Sequence, residues 1–243
     1  MSLKEIFSSI LSAFLPPRCI KCGKVLVDRD GLCDECFKET TFIFPPFCKK
    51  CGRPFYEEPA DSRNLLCGFC VSGKKKIFRL ARACMEYDDS SSPMILSFKF
   101  FDRTEYKKVF AEWLRLSGTD IFEAGVDVIM PIPLHYTRLI KRRYNQSALL
   151  AKELSKLTGI PCDMTAAVRH RRTKPQIKFS GRARVENVKD AFSVKHPDKI
   201  KGKRIVLIDD VQTTGSTLNE CAKALLKAGA ASVDYLTLSR VDL

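Results

Sequence analysis

Eight cysteines in the first 70 residues share one spacing, as Cys19/Cys22, Cys33/Cys36, Cys48/Cys51 and Cys67/Cys70. Two sulfurs three residues apart on a tight turn can bind one metal ion together, and Gly23 and Gly52 directly follow two of the pairs, where such a turn needs a permissive backbone. Two pairs complete a tetrahedral four-thiolate site with Zn–S near ~2.3 Å. Eight cysteines therefore predict two zinc ions. Two pairings satisfy the spacing: sequential, with the first four cysteines on one ion and the next four on the other, or interleaved. The sequential one is simpler. A closed four-thiolate site leaves no open coordination position, which makes its role structural. Disulfides or a redox pair are the competing reading. The lack of an apparent signal peptide and the fourfold repeat of one spacing weigh against it. Metal would supply much of the folding energy of a segment this short. Cys84, Cys162 and Cys221 fall outside the pattern and are expected as buried apolar side chains.

At 243 residues the chain suits one medium domain with a small module attached. The boundaries read as an amphipathic helix over 1–17, a double zinc ribbon over 18–73 and a larger domain over 78–243. Ile6, Ile10, Leu11 and Phe14 recur at helical spacing and stop at Pro16-Pro17. That helix either packs on the next module or docks on a membrane surface or partner. No apolar run reaches the roughly 18–20 residues that span a bilayer. A cytoplasmic chain is expected, with the inner membrane surface as the second location. Net charge is +14, and between Pro133 and Arg204 there are 19 Lys or Arg against 5 Asp or Glu. Such a block invites phosphates of nucleotides, nucleic acid or lipid, or is a solubilising surface.

Beyond residue 78 the pattern alternates. Strands are predicted over 80–87, 126–132, 165–169, 204–208 and 232–239. Helices are predicted over 94–101, 104–116, 145–157 and 216–228. Residues 171–188 read as a loop. Strands alternating with helices predict an α/β domain with a mostly parallel sheet flanked by helices. The most informative run is Arg204-Ile205-Val206-Leu207-Ile208-Asp209-Asp210, followed by Val211-Gln212-Thr213-Thr214-Gly215-Ser216-Thr217. A buried strand ends in two acids, at the carboxyl end where open α/β sheets bind ligands. A turn then opens a helix, whose N–H groups and dipole favour a phosphate. Gly215 lets backbone approach the anion, and the hydroxyls of Thr213, Thr214, Ser216 and Thr217 add donors. Asp209 and Asp210 suit ribose hydroxyls. An ordinary helix cap would explain the hydroxyls and leave the two carboxylates without a reason. No G-x-x-x-x-G-K-[ST] run occurs.

This run resembles the 5-phosphoribosyl-1-diphosphate (PRPP) motif of type I phosphoribosyltransferases. The resemblance implies that Asp209 and Asp210 hold the ribose hydroxyls, that Thr213 to Thr217 hold the 5-phosphate, and that Mg2+ accompanies PRPP. With the double zinc ribbon ahead of it, the chain resembles the ComF family, also called ComFC or GntX-like. Further pieces agree: Pro131-Ile132-Pro133-Leu134-His135 with Arg138, Tyr144-Asn145-Gln146 entering a helix, Arg172-Thr173-Lys174-Pro175-Gln176, and Arg182 with Glu186-Asn187-Val188. Where the family's arginine–glycine–aromatic–asparagine–glutamine run has its glycine, this chain has Arg143.

Pro133, Leu134 and His135 follow a strand, at the place of the diphosphate loop in such folds. A plain turn is the alternative. His135 reads as a hydrogen-bonding partner rather than a base. Asn145 and Gln146 either contact ligand or cap the helix. Arg172, Lys174 and Gln176, with Arg171 and Lys178, match the place of a mobile hood whose cations would stabilise the leaving diphosphate, or form a solvated loop. By resemblance the partners are PRPP, single-stranded DNA and helicase-like or DNA-processing competence proteins. Tyr136, Tyr144, Phe179 and Phe192 are candidates for base stacking or for the core. The rival functions are a nucleotide-metabolism phosphoribosyltransferase and a non-catalytic PRPP-binding adaptor.

Overall fold

The computed structural model describes residues 16–27, 30–57, 65–72, 77–172 and 186–241. The expected helix over 1–17 and the hood residues Lys174 and Gln176 lie largely or wholly outside these residues. Among the described residues no helix is long and apolar enough to cross a membrane.

Two short helices, α1 (Asp34–Glu39) and α2 (Gly68–Val71), belong to the cysteine-rich module. The larger domain runs β1 (Ala81–Glu86), α3 (Ser92–Phe100), α4 (Lys107–Ser117), α5 (Thr119–Glu123), β2 (Val128–Pro131), α6 (Tyr136–Arg142) and α7 (Gln146–Thr158). It continues with β3 (Ala167–Arg169), β4 (Phe192–Val194), β5 (Arg204–Gln212), α8 (Ser216–Lys227) and β6 (Ser232–Arg240). Four strands form one parallel sheet in the order β1-β6-β5-β2, and β3 and β4 pair antiparallel beside it.

The pattern on β5 explains the layers. Ile205 and Leu207 enter one apolar cluster with Leu218, Cys221 and Leu225 of α8. Val206 and Ile208 enter the other with Phe110 and Leu114 of α4 and Leu150 and Leu154 of α7. A strand buried on both faces has no reason to alternate, which is why it reads as an unbroken apolar run. Each fully enclosed Leu, Ile or Phe contributes roughly 1.5–3 kcal/mol relative to exposure.

The structure differs from the sequence reading in several places, among them the short helix α5, which the reading lacked. Strand β5 runs to Gln212 rather than stopping at residue 208, because its pairing with β6 continues to Gln212 opposite Arg240. The two aspartates therefore lie within the strand. Helix α6, capped by His135, occupies residues for which the sequence reading had no element. Strand β4 is a three-residue partner of β3, too short to leave a periodic signal. Cys84 and Cys221 are buried as expected, but Cys162 is only half-buried.

The first turn of α7 and the loop after β2 meet at the carboxyl end of the sheet. Ile132 N donates to Ile208 O at 2.9 Å, which ties that loop to β5 just before the acids.

Candidate functional site

Asp209 and Asp210 are consecutive residues on β5, so their side chains leave opposite faces of the sheet. The Asp209 carboxylate is enclosed. Ser147 Oγ donates to its Oδ1 at 2.9 Å and the Asp210 backbone N–H donates at 3.0 Å. Burial pushes its carboxyl up to about 7, and the neighbouring Asp210 adds to the rise. Asp210 is 7% exposed and pairs with Lys99 Nζ at 2.8 Å.

Beyond the acids the chain turns at Thr213 and Thr214 into Gly215, whose φ of 71° is left-handed. Glycine takes that conformation without the cost a Cβ imposes. The Thr214 and Ser216 hydroxyls are 2.6 Å apart, and Ser216 N–H donates to Thr214 Oγ1 at 3.4 Å. Asp209, Val211, Gln212, Thr213, Gly215, Ser216, Thr217 and Leu218 line one open hollow of ≈ 200 Å³. Seven of these positions lie in the run singled out from the sequence. Thr214 is adjacent through Ser216, and Asp210 lies across the strand with Lys99. The hollow thus places an acidic strand end beside the N-terminus of a 12-residue helix. Such a site can accept hydroxyl donors on one side and an anion on the other.

The segment after β2 comes to the same end of the sheet. His135 is buried, and its Nδ1 accepts from Thr137 N at 3.3 Å, so it serves as the cap of α6. Its ring lies 4.4 Å from that of Tyr136. Pro133 and Leu134 are half-buried in the preceding turn. Arg138 is half-buried, and burial, with help from Arg142, lowers its pKa from the ordinary arginine value. Arg172 is exposed.

Asn145 is a cap, and it is also a clamp. Its Oδ1 accepts from Ser147 N at 3.1 Å while its Nδ2 donates to Ile132 O at 3.0 Å. Gln146 is 1% exposed and donates to Lys99 O at 2.7 Å. These side chains fasten the start of α7 to the loop after β2 and to the end of α3. Arg143 just before them adopts φ 65°, the left-handed conformation for which glycine is suited. It faces Asp102, itself at φ 54°, across 3.6 Å.

Three residues of this region carry no motif in the sequence reading. Lys99 sits in an apolar helix where a single lysine looks like surface charge. Ser147 is one of many serines. Arg169 on β3 is 7% exposed, with its guanidinium 5.2 Å over the Phe192 ring. Burial lowers its pKa to about 10, with Arg138 adding to the fall and Asp209 opposing it, which places it near the acids. Phe192 is accordingly a core ring carrying an arginine.

The cysteines resolve into sequential groups. The sulfurs of Cys19, Cys22, Cys33 and Cys36 lie within 4.8 Å of one another, and so do those of Cys48, Cys51, Cys67 and Cys70. Cys22 and Cys33 sulfurs are 3.7 Å apart and Cys51 and Cys67 sulfurs 3.5 Å. A tetrahedron of sulfurs at the usual Zn–S distance has edges of about 3.8 Å, so both clusters fit zinc.

Comparison with known proteins agrees with this division. Residues 10–71 match the double zinc ribbon domain family, and residues 144–241 match the phosphoribosyl transferase domain family. Competence protein F of Haemophilus influenzae is 31% identical, over 92% of this chain and 96% of its own. The DNA utilization protein YhgH of Escherichia coli is 34% identical, over 93% and 98%. Competence protein ComFC of Bacillus subtilis is 29% identical, over 89% and 87%.

Proposed function

We infer the function from one premise: the chain belongs to the family of competence protein F and the DNA utilization proteins, in which a double zinc ribbon precedes a phosphoribosyltransferase domain. On our reading it is a competence-type protein whose hollow binds PRPP with Mg2+, and it acts with single-stranded DNA during DNA uptake in the cytoplasm. The observation that carries the ligand assignment is the hollow lined by Asp209 and the Gly215-initiated helix, with Asp210 next along the same strand end.

In this reading Asp209 and Asp210 accept from the ribose hydroxyls, and the turn from Thr213 to Thr217 holds the 5-phosphate. The loop of Pro133, Leu134 and His135, with Arg138, faces the diphosphate, and Arg172, Lys174 and Gln176 are assigned to it as well. Mg2+ neutralises charge on the diphosphate when bound. The names of the relatives support the role in DNA uptake, and the basic stretch from Pro133 to Arg204 supports contact with nucleic acid. DNA-processing proteins are the partners this role calls for.

Calorimetry with PRPP and Mg2+ tests the pocket. The double substitution Asp209→Asn, Asp210→Asn is expected to weaken binding about 100-fold, since two charge-assisted acceptors are lost. Unchanged affinity would remove the ribose assignment. A gel shift with single-stranded DNA across a salt series tests the nucleic-acid role, where binding should fall steeply with salt. The raised pKa of Asp209 adds a pH signature. An acid whose folded pKa is raised contributes stability that is fully present below its unfolded value near 3.8 and is lost as pH rises through about 7. Ligand-free Asp209→Asn should therefore melt higher than wild type at pH 8, with the gap closing toward pH 5.

A further inference from the structure

Both carboxylates of the site are already engaged by the protein's own donors, and the two donors differ in kind. Ser147 on Asp209 is neutral and leaves the carboxylate room to accept further hydrogen bonds. Lys99 on Asp210 brings a charge, with its side chain 20% exposed and that of Asp210 10% exposed. The backbone of Lys99 is pinned, since Gln146 Nε2 donates to its carbonyl at 2.7 Å. Its four-carbon stem carries the ammonium on several rotatable bonds beyond that fixed point, and lysine is the cation suited to such movement, being a compact point charge on a flexible chain.

The pair has an electrostatic reason. Two neighbouring carboxylates at one strand end repel each other, and a nearly buried one needs a compensating cation. A ligand changes that balance. Ribose hydroxyls that take Asp210 compete with the ammonium for the same oxygens. The hydroxyl-bearing carbon C2 of PRPP is one bond from C1, which carries the diphosphate. A displaced ammonium therefore finds anionic oxygens close to the position it leaves.

We propose that Lys99 is a binding residue for the diphosphate, held on Asp210 in the ligand-free site and transferred to a diphosphate oxygen when ribose hydroxyls occupy Asp210. The proposal rests on the reading that the hollow takes PRPP, and it gives that site a selectivity. Ribose 5-phosphate has the same hydroxyls and the same 5-phosphate. It must break the Lys99–Asp210 pair and offers the ammonium nothing in exchange. The wild-type protein should discriminate against it, and removal of Lys99 should collapse the discrimination from both sides.

The test is calorimetry on the full zinc-loaded chain with Mg2+, using PRPP and ribose 5-phosphate against wild type, Lys99→Met and Lys99→Arg. Lys99→Met is expected to weaken PRPP binding about 10- to 100-fold, as loss of one charge-assisted contact implies, and to leave ribose 5-phosphate binding unchanged or tighter. Lys99→Arg should restore most of the preference. Lys99→Gln keeps a donor for Asp210 without the charge and should give the same split, which covers the case in which Lys99→Met does not fold. Equal losses for the two ligands would make Lys99 structural and overturn the proposal, as would unchanged PRPP affinity. If wild type binds no PRPP, the PRPP reading itself falls and takes this proposal with it. Wild-type binding with an unaltered Lys99→Met profile removes only the role of Lys99.

Discussion

In each zinc ribbon a Cys-x-x-Cys-Gly turn faces a second pair whose leading cysteine caps a short helix, Cys33 before α1 and Cys67 before α2. The turns match bond for bond. Gly23 N donates to Cys19 O at 2.9 Å, and Gly52 N to Cys48 O at 2.8 Å. Cys19 N donates to Lys24 O, and Cys48 N to Arg53 O, at 2.8 and 2.7 Å. Yet the surroundings diverge. Cys19, Cys33 and Cys36 form a small cluster with Leu26 and Leu32, while Cys22 is exposed. Cys48, Cys51 and Cys67 join the main core beside Phe78, Ala81 and Tyr235. Two buried arginines of the larger domain donate to carbonyls of the second turn, Arg82 to Lys49 O at 2.7 Å and Arg240 to Cys51 O at 2.8 Å. Arg240 lies opposite Gln212, which lines the hollow. The first set of sulfurs thus keeps a cluster of its own, although Ile20 and Phe42 beside it pack on the larger domain, whereas the second set of sulfurs is itself part of the main core.

Paired substitutions test that contrast. The largest effect is expected from the metal ligands. A structural zinc contributes on the order of 10 kcal/mol to folding, comparable with the whole stability of a domain. Cys51→Ser should therefore abolish the cooperative melt of the chain and PRPP binding with it. Cys22→Ser should lower zinc to about one ion per chain while the larger domain keeps its transition, given that the sulfurs Cys22 joins lie outside the main core. Chelator with alkylation read by mass spectrometry should label Cys22 and its partners before the second set. Equal loss from both variants would break the comparison.

The two glycines come next. A Cβ on Gly52 would lie 2.6 Å from Ala81 O, a backbone atom that cannot step aside, whereas one on Gly23 meets nothing within 4 Å. Both carry left-handed φ, 66° and 79°. In urea denaturation Gly23→Ala should cost only the conformational term, roughly 1–2 kcal/mol. Gly52→Ala adds an overpacking term of roughly 1–3 kcal/mol. Smaller than Gly52→Ala is Arg82→Met, which removes the donor to Lys49 O in the interface at a cost of about 1–3 kcal/mol. Its counterpart Lys21→Met removes an exposed pair with Glu39 and should move stability by about 0–1 kcal/mol. If Lys21→Met costs as much as Arg82→Met, the first ribbon is as firmly integrated as the second.

Much of this was legible without coordinates because it depends on local chemistry. The cysteine spacing, the buried strand before Asp209 and the glycine of the Gly215 turn each express a constraint carried within about ten residues. The extension of β5 to Gln212 was not legible. It comes from pairing with β6, and acids and glutamine are poor strand formers by themselves. Helix α6 was missed because it buries none of its residues and so has no apolar period. Lys99 and Arg169 were missed for the opposite reason. Each is a lone cation in its segment, and only the arrival of Asp210 or Asp209 from a distant strand gives it meaning.

The amino-acid sequence by itself determined two four-thiolate clusters, a doubly buried strand and a phosphate-type turn, since each follows from residue type and short spacing. Tertiary structure alone decided the sequential grouping of the cysteines, the fusion of the second ribbon to β1 and the pairing of Lys99 with Asp210. These are contacts between residues tens of positions apart. Their energies depend on burial and on the charges that packing brings together, and no local pattern encodes either.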